Sequence, residues 1–135
     1  MSQSLEILLL DDEPIVGKRL KPALEKIGCA VEVFQDPLAA MARINQKAFN
    51  IVVTDIRMDE MDSMQILDQV LTRYPETKVI MITGYAMIAV AREAMEKGAF
   101  DFIAKPFKPD DLRQVIAKAA AALGSRIDFS INKGD

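Results

Sequence analysis

Five short apolar runs, each followed by a stretch of helical periodicity, set the strongest limit on how this chain can fold. They occupy residues 5–10, 30–34, 51–54, 78–82 and 100–104. Each is hydrophobic nearly throughout rather than at alternate positions. A strand of that kind needs cover on both faces, which points to a parallel sheet between two layers of helix. Right-handed crossovers then leave a doubly wound α/β fold as the natural solution. A chain of 135 residues makes one such domain with a core of ordinary size.

The segments between the runs carry their own start and stop signals. Asp11-Asp12-Glu13-Pro14 ends the first run and opens a helix, with an acid as N-cap and Pro near the first helical position. Val16, Leu20, Leu24 and Ile27 share one face of it, and Gly28 closes it. Pro22 lies in its interior, where a proline removes a hydrogen bond and costs about 3 kcal/mol, so a kink is expected near residues 17–22. Asp36-Pro37 opens a second helix carrying Leu38, Met41, Ala42 and Ile44. A third, from about residue 63 to 73, carries Leu67, Val70, Leu71 and Tyr74 at helical spacing. A fourth covers roughly residues 87–97 and stops at Gly98. The last starts at Pro109 with Leu112, Val115, Ile116, Ala119 and Leu123 on one side. Residues 124–135 are polar, with Ile127, Phe129 and Ile131 alternating, and read as a frayed end or as a strand that pairs elsewhere.

Composition narrows the function. Half the residues are hydrophobic, the net charge is −3, and there is no block of Lys or Arg, which argues against nucleic-acid binding by this chain. No apolar run approaches the length of a membrane span, and the amino terminus lacks a basic signal-peptide start. The lone Cys29 excludes an internal disulfide and fits a reducing cytosol. The absence of histidine removes imidazole catalysis and His-ligated metals.

In a doubly wound sheet, chemistry sits at the carboxyl ends of the strands. Those ends carry Asp11, Asp12 and Glu13 after the first strand, Asp55 after the third, Thr83 after the fourth and Lys105 after the fifth. Singly, each has a structural explanation: an acid or a threonine caps a helix, and a lysine decorates a surface. Jointly they form a set of complementary charges at one edge. Clustered carboxylates repel unless a cation joins them, and oxygen ligands with an incomplete shell suit Mg²⁺. An ionised Asp55 could then attack phosphorus and form an acyl phosphate. Lys105 would balance charge on the incoming group, and the Thr83 hydroxyl would donate to one of its oxygens.

The strings LLLDDEP, IVVTDIRM, MITGYA and FIAKPF resemble, in order, the four landmarks of the response-regulator receiver domain of bacterial two-component signalling. The likeness covers about residues 5–123, leaving 124–135 as a tail or the start of a linker. It implies a flavodoxin-like sheet in the order 2-1-3-4-5 with five helices. It implies that Asp55 is the phospho-acceptor, that Asp12 and Asp55 hold Mg²⁺ directly with the Arg57 backbone carbonyl, and that Asp11 acts chiefly through water. Lys105 would pair with the phosphoryl group and precede a cis peptide bond to Pro106. Thr83 would move toward the phosphoryl oxygens, and Phe102 would turn inward from an exposed position. That would change the surface of the fourth helix, fifth strand and fifth helix, where a homodimer could form. Arg57 and Tyr85 occupy positions that set hydrolysis rate in this family. The segment Met58-Asp59-Glu60-Met61-Asp62-Ser63 departs from the family's usual Met-Pro-Gly-Met-Asp-Gly.

The function implied is a cytoplasmic switch operated by phosphorylation, which catalyses only its own phosphorylation and dephosphorylation. With no histidine here, a separate sensor histidine kinase supplies the phosphoryl group. The competing reading is a Mg²⁺-dependent phosphohydrolase with an aspartate nucleophile, whose Asp-x-Asp signature Leu10-Asp11-Asp12-Glu13 lacks. A flavin module on the same fold would need a hydroxyl-rich phosphate loop where three acids stand. Nothing after Leu123 reads as a DNA-binding or ATPase module, so the chain acts through a partner or is the receiver of a longer protein. TDIRM and GAFDFIAKPF look most like receivers of nitrogen-regulation-type transcriptional activators.

Overall fold

Residues that are apolar on both sides of a strand have to be buried on both sides, and the computed structural model, which describes residues 5–55, 63–84 and 88–124, shows how. Strands and helices alternate as β1 (Leu5–Leu10), α1 (Pro14–Glu25), β2 (Cys29–Phe34), α2 (Pro37–Gln46), β3 (Ile51–Asp55), α3 (Ser63–Arg73), β4 (Lys78–Thr83), α4 (Ile88–Glu96), β5 (Asp101–Ala104) and α5 (Pro109–Ala122). All strand pairs are parallel, in the order β2-β1-β3-β4-β5. The expected doubly wound sheet and its order are both present.

Alternate residues of each strand feed two separate core layers. Ile7, Leu9, Ile51, Val53, Ile80, Ile82 and Ile103 pack with Leu20, Leu24, Leu112 and Ile116, so α1 and α5 cover one face. Leu8, Leu10, Val52, Val79 and Met81 pack with Met41, Ile44, Ile66, Leu67, Val70, Ala91 and Ala94, so α2, α3 and α4 cover the other. Each fully buried Leu or Ile is worth about 1.5–3 kcal/mol, and this two-sided burial fixes the register of the sheet.

Local signals set the helix ends. Asp36 accepts from Leu38 N at 3.2 Å at the start of α2, and Asp111 accepts from Lys108 N at 2.9 Å at the start of α5. Gly98 follows α4 with φ +111°, and a side chain there would press on Leu71. Helix α1 runs as one element through Pro22, with Lys26 N donating to Pro22 O at 3.1 Å. The rung that Pro22 cannot make falls on the exposed side of the helix, where water can serve the carbonyl left over.

Candidate phosphorylation site

Register brings the polar residues together. Leu10 pairs with Thr54, Asp55 with Ile82, and Thr83 with Ala104. The residues at or just beyond those pairs, Asp11, Asp55, Thr83 and Lys105, therefore share one edge of the sheet. Asp55 is the last residue of β3 rather than the first residue after it, because the ladder continues past the apolar run to its pairing with Ile82.

Asp11, Asp12 and Asp55 each bring a carboxylate oxygen to within 4.8 Å of the others. Asp11 and Asp55 are buried and Asp12 is exposed. Lys105 Nζ stands 3.3 Å from Asp55 Oδ2 and 3.2 Å from Asp11 Oδ2, and it also contacts Glu13 Oε1. Glu13 N in turn donates to Asp11 Oδ1 at 2.9 Å. Three carboxylates, those of Asp11, Glu13 and Asp55, thus gather round one ammonium, with Asp12 beside two of them. Burial pushes the Asp11 carboxyl up to about 6; the Glu13 hydrogen bond opposes this, the Asp55 charge adds to it, and Lys105 opposes it. For Lys105, burial disfavours the ammonium, but Glu13, Asp11 and Asp55 outweigh burial and hold its pKa above the ordinary lysine value. The lysine is a fixed cation.

Asp11 Oδ2 is buried and receives no hydrogen bond, although it faces the ammonium. Such an oxygen beside two further carboxylates is a fitting donor set for a hard divalent cation. Thr83 is fully buried, and its hydroxyl donates to Gly84 O at 3.0 Å, while its own carbonyl accepts from Lys105 N at 2.6 Å. The Lys105-Pro106 peptide is cis. Phe102 is half-buried against the layer under α2, α3 and α4, neither exposed nor sealed in the core. Arg57, Tyr85 and the segment 58–62 lie outside the described residues.

A cleft of about 190 Å³ opens beside Lys105 between α1 and the segment after β5, lined by Ile15, Val16, Leu20 and Phe107. A larger cavity of about 520 Å³ lies by Leu5, Asn50 and Thr77, where the strands begin, and is remote from these carboxylates. Size does not mark the chemistry here; the placement of charge does. Sequence reasoning noted Glu13 among the acids but gave it no role. The available signal was a third acid directly after Asp11-Asp12, held in the same loop by the start of α1.

Among the described residues, the carboxyl-end edge of this parallel sheet gathers carboxylates and a lysine, an arrangement suited to phosphoryl chemistry on an aspartate. The chain belongs to the response regulator receiver domain family, whose model matches residues 7–117. It is similar to the C4-dicarboxylate transport transcriptional regulatory protein DctD of Rhizobium meliloti (strain 1021), 35% identical over 119 residues, 88% of this chain and 26% of that protein. It is also similar to the nitrogen assimilation regulatory protein NtrX of Azorhizobium caulinodans, 33% identical over 90% of this chain and 27% of that protein. The crystal structure of the receiver domain of NtrX from Brucella abortus superposes with a TM-score of 0.79 at 35% identity, covering 85% of this chain and 98% of that one. The chain thus spans about a quarter of the length of these two curated relatives. The likeness to receivers of nitrogen-regulation-type activators, read from two short strings, is borne out. Among the described residues no helix is long and apolar enough to cross a membrane.

Proposed function

We propose that this chain accepts a phosphoryl group on Asp55 from a sensor histidine kinase and relays that event through the surface of α4, β5 and α5. The observation that carries the reading is the position of Lys105, whose ammonium already bridges Asp55 and Asp11 at 3.3 and 3.2 Å. An Asp55 oxygen bonds to phosphorus as the bond from phosphorus to the donor nitrogen breaks, and that nitrogen takes a proton from water. Lys105 remains charged throughout and balances negative charge on the phosphoryl oxygens. Asp12 and Asp55, with the Arg57 carbonyl, would hold Mg²⁺ and Asp11 would act on it chiefly through water; the ion would supply further positive charge against those oxygens.

The Thr83 hydroxyl, now given to Gly84 O, turns to a phosphoryl oxygen. Phe102 then moves deeper into the space vacated, and the α4-β5-α5 surface changes. That surface engages a partner protein, a second copy, or an output segment of a longer regulator. Sedimentation with and without beryllium trifluoride, a phosphoryl mimic, reads the second of these. Residues 1–123 form the receiver and 124–135 a tail or linker, in a cytoplasmic setting. Arg57 and Tyr85 modulate hydrolysis.

Incubation with acetyl phosphate and Mg²⁺ should place one acid-stable, base-labile phosphoryl group on the wild type and none on Asp55→Asn. Incorporation in Asp55→Asn at the wild-type rate sinks the assignment. Steady turnover of phosphomonoesters by the wild type would favour a phosphohydrolase instead.

A further inference from the structure

Three carboxylates surround the Lys105 ammonium, which donates to Glu13 Oε1 and Asp55 Oδ2 and stands 3.2 Å from Asp11 Oδ2 without a hydrogen bond. Two of them are fixed: the Asp11 and Asp55 side chains are 1% and 9% exposed. The third, Glu13, has a side chain 57% exposed, so water can solvate it if the lysine leaves. Its main chain is pinned independently, by Glu13 N donating to Asp11 Oδ1 and by Glu13 O accepting from Val16 N at 3.1 Å. Glu13 therefore reaches Lys105 from a fixed base on the open side of the site. A phosphoryl group arriving on Asp55 draws the same ammonium toward its oxygens and so competes with these partners for it. The exposed carboxylate is the cheapest of the three partners to displace, since ion pairs open to water are weak.

Resting on the phospho-acceptor reading above, we infer that Glu13 is a positioning residue acting through Lys105, a detachable anionic partner that holds the ammonium over Asp55 until a phosphoryl oxygen takes its place. Two consequences follow from its charge. Glu13 competes with the phosphoryl group for Lys105, and it adds repulsion against an anionic donor at the mouth of the site. Removing the charge while keeping the shape, as in Glu13→Gln, should relieve both.

The test uses the full chain with Mg²⁺ and acetyl phosphate. The second-order rate constant for phosphorylation should rise roughly two- to fivefold in Glu13→Gln, the range open to one solvent-exposed pair. Glu13→Asp, one methylene shorter, keeps the repulsion but reaches the lysine less well, and should fall between the two. The Lys105 side-chain nitrogen signal, followed by NMR without any donor, reports the contact directly. It should shift between wild type and Glu13→Gln, and that difference should shrink once beryllium trifluoride occupies Asp55. Equal rates together with an unmoved Lys105 signal overturn this inference and leave the phospho-acceptor reading standing. A faster Glu13→Gln reaction with an unmoved signal overturns it too, leaving donor repulsion as the whole effect. No incorporation in either form overturns both.

Discussion

Cys29 opens β2 with its thiol buried in the layer beneath α1 and α5. Burial disfavours the thiolate and pushes the pKa up to about 11 from an ordinary 9.0. Below about pH 9 the thiol is protonated in folded and unfolded chains alike, and its contribution to stability is complete. As pH rises further the unfolded chain gives up its proton first, so that contribution drains away toward pH 11, by up to about 2–3 kcal/mol. Lysines and tyrosines titrate in the same range, so the comparison that isolates Cys29 is with Cys29→Ala. The stability gap between the two proteins, from urea unfolding at about pH 8 and about pH 10.5, should narrow by roughly 2 kcal/mol. A constant gap would contradict the burial argument. At this scale the sequence told which residues carry chemistry but not which of them touch. Asp55, Thr83 and Lys105 were legible because each ends an apolar run. The Lys105–Glu13 pair was not, since a loop side chain's direction depends on contacts far away along the chain, here 92 residues apart.

At the scale of elements, periodicity located the ten helices and strands of the described residues, because two-sided burial leaves unbroken apolar runs and the helices keep one apolar face. The ends moved by a residue or two where hydrogen bonding outlasts hydrophobicity: β2 begins at Cys29 and β3 includes Asp55. Helix α1 shows what the pattern could not reveal. Gly17 reads as a weakness in a helix, worth about 1 kcal/mol against Ala. In the fold it is buried where α1 crosses β2, and a Cβ there would lie 2.5 Å from Val33 Cγ1. Valine is stiff at χ1 and cannot easily turn that methyl aside. Gly17→Ala should therefore destabilise by about 1–3 kcal/mol, overpacking outweighing the gain in helix propensity. Val33→Ala in the same chain should restore much of the loss, which a double-mutant cycle by chemical denaturation measures. A stabilised Gly17→Ala would show that α1 can shift outward without cost.

For the molecule as a whole, the polar and apolar parts have opposite logic. The two core layers are satisfied by burial alone, whereas the edge that carries Asp11, Asp12 and Asp55 is strained by charge. That edge was legible as a site because the register of a parallel sheet brings all strand ends to one side. Its electrostatic imbalance became visible only with the burial of Asp11 and the unbonded Asp11 Oδ2. A cation that binds the folded edge and not the unfolded chain stabilises the protein by mass action, about 1.4 kcal/mol at ten times its dissociation constant and 2.7 at a hundred times. In a domain of 135 residues each kcal/mol moves Tm by roughly 3–5 °C. Saturating Mg²⁺ should then raise Tm by about 5–10 °C over KCl of equal ionic strength, and EDTA should reverse the rise. Asp12 is the exposed member of the set, so Asp12→Ala can fold without leaving a buried cavity. That variant should lose most of the Mg²⁺ effect. Without Mg²⁺ and at low salt it should melt above the wild type, because one of three mutually repelling carboxylates is gone, and added salt should shrink that advantage. If Asp12→Ala instead keeps the full Mg²⁺ shift, the cation does not bind at this edge. If its metal-free form melts below the wild type, Asp12 has a structural role that outweighs its repulsion.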